Sequence, residues 1–267
     1  MLLTLLIGYA VFVAVIALTQ RRLIYFPARF APATAEARAA QNGFSPWRNA
    51  SGDILGWQMR ARGTPTASVL VVHGNAGSAV DRDYLARPLH EAAEVNVFVL
   101  EYPGYGARGG EPSRPNFLAA GEEAFALLPA DKPRYIVGES LGAGVAAHLA
   151  GAHPNEVAGL ALLVPFHNLP WVAQRQMPFL PADWLLRDRF SPVDDLKRYR
   201  GPVKVVIAER DEVIPAESGR RLFDAYEGPK DLQVFPGARH NDVATQSPAW
   251  WREVFAFWRT YAPVKSP

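Results

Sequence analysis

Cysteine is absent from the chain, which excludes disulfide staples, thiolate metal sites and a cysteine nucleophile. No block of like charge occurs either. Twenty-eight basic residues offset 26 acidic ones for a net charge of +2, and they are scattered, so no nucleic-acid footprint is present. The HExxH metal motif is missing, and His148 and His153 stand five apart, off a common helix face. The sequence calls for no metal and no organic cofactor. Internal repeats and low-complexity tracts are also lacking. With 49% hydrophobic and 20% charged residues in a 267-residue chain, enough apolar material remains for one large core.

Charge is missing from one long run in particular. The stretch MLLTLLIGYAVFVAVIALTQRR has no charged side chain before Arg21. As a helix, Leu2–Leu18 would reach about 25 Å, close to the lower limit for crossing a bilayer. A cleaved signal peptide wants a basic start and an A-x-A site, and neither is there; a buried core helix is the other alternative. The expectation is an uncleaved single-pass anchor over 1–20, with the bilayer as partner. Arg21, Arg22 and Arg29 lie on its C-terminal side, which predicts a cytoplasmic catalytic domain. A juxtamembrane connector with one helical turn is expected over 21–43, and a globular domain over 44–267.

In that domain strands and helices alternate. SVLVVHG, VNVFVLEY, RYIVGES, VAGLALLVPF and PVKVVIAE are strand-length apolar runs rich in β-branched residues, the composition of strands covered on both faces. Helical spacing lies between them, with Ser113 as a candidate cap for the helix entered by Pro115. The pattern predicts an α/β fold with a mostly parallel sheet and helices on both faces. One insert, about 167–189, interrupts the order with Trp171, Phe179 and Trp184 among prolines. A long insert at the carboxyl end of a strand is well placed to cap a site. These three aromatics and Tyr105 are the candidate substrate contacts.

The chemistry centres on GESLG, Gly138 to Gly142, directly after a strand and before a helix. There Ser140 would sit on a strained turn, with the glycines sparing collisions two residues to either side. A serine is a weak nucleophile until a base adjoins it. Of six histidines, His240 in FPGARHND follows the last strand and precedes the last helix, where a base must lie; His167 is a minor candidate. Between serine and histidine, VVIAERDEVIP offers Glu209, Asp211 and Glu212. Asp211 is placed to orient His240, leaving Glu209 and Glu212 solvated. HGNAGS follows the first buried strand. Its Asn75 N–H, with Ala76 as the alternative, would join the Leu141 N–H as oxyanion donors. Gly104-x-Gly106-x-x-Gly109 mimics a dinucleotide fingerprint, but Gly110, Pro112 and Pro115 keep it a loop.

RRLIYFPARF, HGNAGS, EYPGYGARGG, GESLGAGVA, RDEVIP and RHND, in that order, resemble the membrane-anchored serine hydrolases of the α/β-hydrolase fold, the α/β-hydrolase domain-containing family. The likeness runs from the anchor to about Asp242. It implies nucleophile Ser140, acid Asp211, base His240 and an oxyanion loop over His73–Gly77. Two departures stand out: Ala208 where a glycine is more usual, and Arg239 where a small residue is commoner. The resemblance implies hydrolysis of acyl esters, thioesters or lysophospholipid-like lipids. Rival classes are a peptidase of the same fold and a non-catalytic membrane scaffold. Oligomeric state is not readable.

Overall fold

The computed structural model describes residues 1–261. The chain opens with helix α1 (Leu2–Ile24), strand β1 (Phe26–Pro27), helix α2 (Pro32–Gln41) and strands β2 (Ser45–Arg48) and β3 (Ile54–Met59). The alternating part begins with β4 (Ala67–Val72), β5 (Ala76–Gly77), α3 (Asp83–Ala92), β6 (Val95–Leu100) and α4 (Arg114–Ala126). It continues through β7 (Arg134–Glu139), α5 (Gly142–Ala152), β8 (Val157–Leu163), α6 (Leu169–Gln176), α7 (Ala182–Leu185) and α8 (Pro192–Asp195). It closes with β9 (Val203–Ala208), α9 (Ala216–Ala225), β10 (Lys230–Phe235) and α10 (Pro248–Tyr261).

Eight strands form one sheet in the order β10-β9-β8-β7-β4-β6-β3-β2. Pairing is parallel from β10 to β6, while β3 runs antiparallel to both β6 and β2. The apolar runs follow from this burial. Because side chains alternate across a strand, Leu70, Val72, Ile136, Leu160 and Leu162 face one core with α4 and α5. Val69, Val71, Val137, Ala161 and Leu163 face the other with α3 and α10. Each fully buried aliphatic side chain contributes about 1.5–3 kcal/mol, so both faces are held.

Small residues let helices approach the sheet. A Cβ on Gly138 would lie 2.7 Å from the Ala146 Cβ, so the β7–α5 contact depends on that hydrogen. Gly159 leaves room in the same way for the Trp258 indole, whose Nε1 donates to the Leu160 carbonyl at 3.2 Å. Ser113 caps α4, its hydroxyl accepting the Asn116 N–H at 3.2 Å.

The N-terminal segments differ from expectation. α1 runs past residue 20 to Ile24, and the following stretch is built into the domain rather than linking to it. β1 pairs in parallel with β5, Phe26 opposite Ala76 and Pro27 opposite Gly77. The expected single turn is the ten-residue α2, which buries Ala35 and Ala39 in the second core. Their i, i+4 spacing puts two small apolar faces on one side. The insert holds two short helices, α6 and α7. Asn168 starts α6, its Oδ1 accepting the Trp171 N–H at 3.0 Å.

Candidate active site

Ser140 joins β7 to α5 with a φ of 52°, a left-handed conformation that side chains other than glycine rarely adopt. Its N–H is fixed to the Leu163 carbonyl at 2.9 Å. A Cβ on Gly142 would run into the Val72 carbonyl of the adjoining strand. The flanking glycines are thus steric requirements of the turn.

Three side chains from three loops meet here. His240 Nε2 lies 3.0 Å from Ser140 Oγ, and His240 Nδ1 lies 2.7 Å from Asp211 Oδ2. Asp211 Oδ1 in turn accepts the N–H groups of Val213 at 2.8 Å and Ile214 at 2.7 Å. With its carboxylate 2% exposed, Asp211 has one oxygen held by backbone and the other left for the imidazole. Ser140 and His240 are buried as well.

The acids expected to be solvated have a second task. Glu209 accepts the Gly237 N–H at 2.8 Å, and Glu212 accepts the His240 N–H at 3.3 Å. Glu212 also pairs with Arg239 at 3.3 Å. Its own backbone N–H, then that of His240 and the Arg239 charge, hold the Glu212 carboxyl below the usual carboxylate range. Both therefore brace the histidine loop from the acid loop. Nothing in their local sequence distinguished them from ordinary surface acids.

Leu141 and Asn75 stand beside the serine, and among the described residues neither N–H has a backbone acceptor. Asn75 is held on three sides. Its carbonyl accepts Phe26 N–H at 2.9 Å and Tyr105 Oη–H at 2.7 Å, while its Nδ2 donates to the Ile24 carbonyl at 2.7 Å. Tyr102 anchors the same loop through the His73 carbonyl at 2.9 Å. Sequence reading missed these tyrosine and amide ties, since each partner lies far along the chain. Ala76 is exposed on β5. His73 is fully buried, and desolvation holds its imidazole below the ordinary histidine value. His167 stays apart, its Nδ1 2.8 Å from Ser218 Oγ.

A cavity of about 390 Å³ opens on Ser140, with Asn75 and Leu141 in its lining. Leu169, Val172, Ala173 and Gln176 of α6 line it too, one helix face at i, i+3, i+4 and i+7. That phase turns Trp171 away. Its ring lies instead beneath the guanidinium groups of Arg175, at 5.2 Å, and Arg221, at 4.9 Å. The other expected substrate contacts also lie outside the lining. Phe179 and Trp184 are 60% and 90% exposed, and Tyr105 is spent on Asn75. Ile16, Gln20, Leu23 and Ile24 of α1 form a further part of the wall, beside Leu180 and Leu185 of the insert and Ile214.

Residues 67–191 match the alpha/beta hydrolase fold family. Over 230 residues the chain is 35% identical to an uncharacterized protein of Mycobacterium tuberculosis, covering 84% of this chain and 81% of that one. The chain belongs to the alpha/beta hydrolase family. It is also 29% identical to the lysophosphatidylserine lipase ABHD12 of Xenopus tropicalis, across 67% of this chain but only 51% of that protein. Among solved structures, the ferulic acid-bound Est1E of Butyrivibrio proteoclasticus superposes with a TM-score of 0.65 at 17% identity. It covers 81% of this chain and 100% of its own, a likeness of fold.

Proposed function

We propose that the protein is a membrane-tethered serine hydrolase that cleaves acyl esters or thioesters of lipid-like substrates. The observation that carries this reading is the unbroken series Ser140–His240–Asp211, with spacings of 3.0 and 2.7 Å, opening on an apolar cavity. His240 takes the Ser140 proton as Oγ attacks the acyl carbonyl, and Asp211 holds the imidazole in the tautomer that can accept it. The N–H groups of Leu141 and Asn75 receive the negative oxygen. Asn75 is preferred to Ala76 because it lines the cavity. His240 then protonates the leaving alcohol or thiol, and water, activated by the same imidazole, releases the acyl group.

The lipid part rests on three supports: the apolar cavity, the lipase among the relatives, and α1. That helix has 23 residues, and its 18-residue apolar stretch has a mean hydropathy of 2.5, so it is long and apolar enough to cross a membrane. Residues 2–24 serve as the anchor, with the hydrolase domain following from the segment that starts at β1. Arg21, Arg22 and Arg29, on the C-terminal side of the apolar run, support a cytoplasmic-facing domain.

The test is a panel of lysophospholipids, monoacylglycerols and acyl thioesters, run on the full chain in detergent beside Ser140→Ala, with a fluorophosphonate probe. Wild type hydrolyses at least one substrate class and reacts with the probe, and Ser140→Ala does neither. Equal turnover by Ser140→Ala would overturn the reading.

A further inference from the structure

α1 does not stand clear of the domain. Val13, Ile16, Ala17, Gln20 and Ile24 are its less exposed residues apart from Thr19, and their i, i+3, i+4, i+7, i+11 spacing marks one helix face. This face is fastened to the insert by polar bonds. Gln20 is buried, its Nε2 donating to the Leu185 carbonyl at 3.0 Å and its Oε1 accepting the Arg187 N–H at 2.8 Å. Next to it, Arg21 grips Asp188 with two bonds, 2.9 and 3.2 Å. That carboxylate is 1% exposed and also accepts the Arg114 N–H at 3.1 Å. Towards the N-terminus, Tyr9 Oη–H donates to the Phe179 carbonyl at 2.8 Å, and the Phe12 and Phe179 rings lie 6.2 Å apart.

Tethering alone needs none of these bonds. Buried polar groups that are all partnered are what a helix requires where no water reaches. Length leads to the same place. Twenty-three helical residues reach about 35 Å, just enough for a hydrocarbon core of about 30 Å. The docked turns from Val13 onward supply about half of that length. The docked turns therefore lie within the depth of the membrane, and the cavity they wall lies beside them. Exposed Phe179 and Trp184 on the insert are the side chains that favour such an interface.

We propose that the last turns of α1 form a wall of the acyl-chain site, with Ile16 setting the chain length accepted. A lipid-borne chain enters alongside α1 and reaches Ser140 without leaving an apolar environment. This rests on the ester-hydrolase reading above and names α1 as its specificity element.

The experiment compares kcat/KM for p-nitrophenyl butanoate, dodecanoate and hexadecanoate, using the full chain in detergent micelles. Ile16→Trp fills the cavity and lowers the dodecanoate-to-butanoate ratio about tenfold or more, the scale on which apolar pockets discriminate. Ile16→Ala enlarges it and raises the hexadecanoate-to-butanoate ratio. Leu18→Trp, on a residue 75% exposed, keeps the wild-type ratios. Fluorophosphonate labelling reports folding for each variant, and if Ile16→Trp does not label, Ile16→Ala decides alone. Wild-type ratios in the Ile16 variants, or an equal shift in Leu18→Trp, overturn the wall while leaving the hydrolase intact. A wild type inert to every ester and to the probe overturns the hydrolase reading itself, and the wall with it.

Discussion

The Asn75 side-chain amide donates to the Ile24 carbonyl at 2.7 Å, across 51 residues of sequence. Ile24 ends α1, so its carbonyl is one of those a helix leaves without an intrahelical partner. The bond satisfies that group and fixes the loop beside Ser140 to the end of the apolar helix. On the opposite side, Phe26 and Tyr105 hold the Asn75 carbonyl. The loop facing the serine is thus shaped by the segment that follows α1.

Asn75→Ala removes that tie while keeping the backbone N–H. The N–H then wanders from the place where negative charge develops, an effect felt in the transition state more than in substrate binding. We expect kcat to fall about 10- to 100-fold, somewhat less than for outright loss of an oxyanion donor, with KM for short esters changed little. Steady-state kinetics on a soluble ester reads both. An unchanged kcat would mean that the side-chain tie to Ile24 does not position the Asn75 N–H.

Gly142→Ala tests the turn itself. Its Cβ would collide with the Val72 carbonyl, an atom of β4, which pairs with β7 throughout. No side-chain rotation relieves that clash. Loss of about 3 kcal/mol or more is expected, read as a lowered urea midpoint. Gly109→Ala is the control: among the described residues nothing lies within 4 Å of its added Cβ, and stability should stay within about 0.5 kcal/mol of wild type.

The parallel sheet was legible because strands such as Ala67–Val72 are buried along their whole length, leaving an apolar run broken only by Ser68. The loop positions of Ser140 and Asp211 were legible for a related reason: each follows such a strand at its carboxyl end. The strand before His240 is only partly buried, and that loop was legible from its place between the last strand and the last helix. The docking of α1 was not. A helix apolar on every side carries no contrast to mark the face that packs. The insert misled through its aromatics, since α6 spans eight residues, too few for size alone to show the phase that turns Val172 inward and Trp171 out. The connector was underrated because Ala35 and Ala39 look like filler until the core beneath them is known.

His73 supplies a pH dependence of stability. It is wholly buried, with Nε2 3.8 Å from Glu101 and, among the described residues, without a hydrogen-bond partner. Burial, the largest influence, pushes its pKa below the ordinary 6.5, against an upward pull from Glu101. The unfolded chain therefore binds a proton that the native chain refuses. Stability is fully present above pH 6.5 and declines as pH falls from there towards the lowered native value. The melting temperature should drop between about pH 7 and about pH 5, and drop less steeply in His73→Asn. His167 is shifted the same way by burial and contributes in both proteins, so the difference between their slopes is the quantity to measure. Parallel slopes would remove His73 from the account.

Asp211→Asn separates charge from geometry at the candidate acid. The asparagine oxygen can still accept the Val213 and Ile214 N–H groups that bind Oδ1. Its amide nitrogen then faces His240 Nδ1, where the carboxylate had accepted at 2.7 Å. Two donors cannot face each other. Nδ1 gives up its proton and accepts from the amide, which leaves the ring proton on Nε2, towards Ser140. In that tautomer the imidazole cannot take the serine proton, although every heavy atom is in place. A fall in kcat of about 10³- to 10⁴-fold is expected, with the melting temperature near that of wild type and KM nearly unchanged. Asp211→Ala also leaves two backbone N–H groups unpaired and should lower the melting temperature as well. If Asp211→Asn kept most of its turnover, the orienting acid would have to be sought elsewhere, Glu212 first, since it already reaches the His240 backbone.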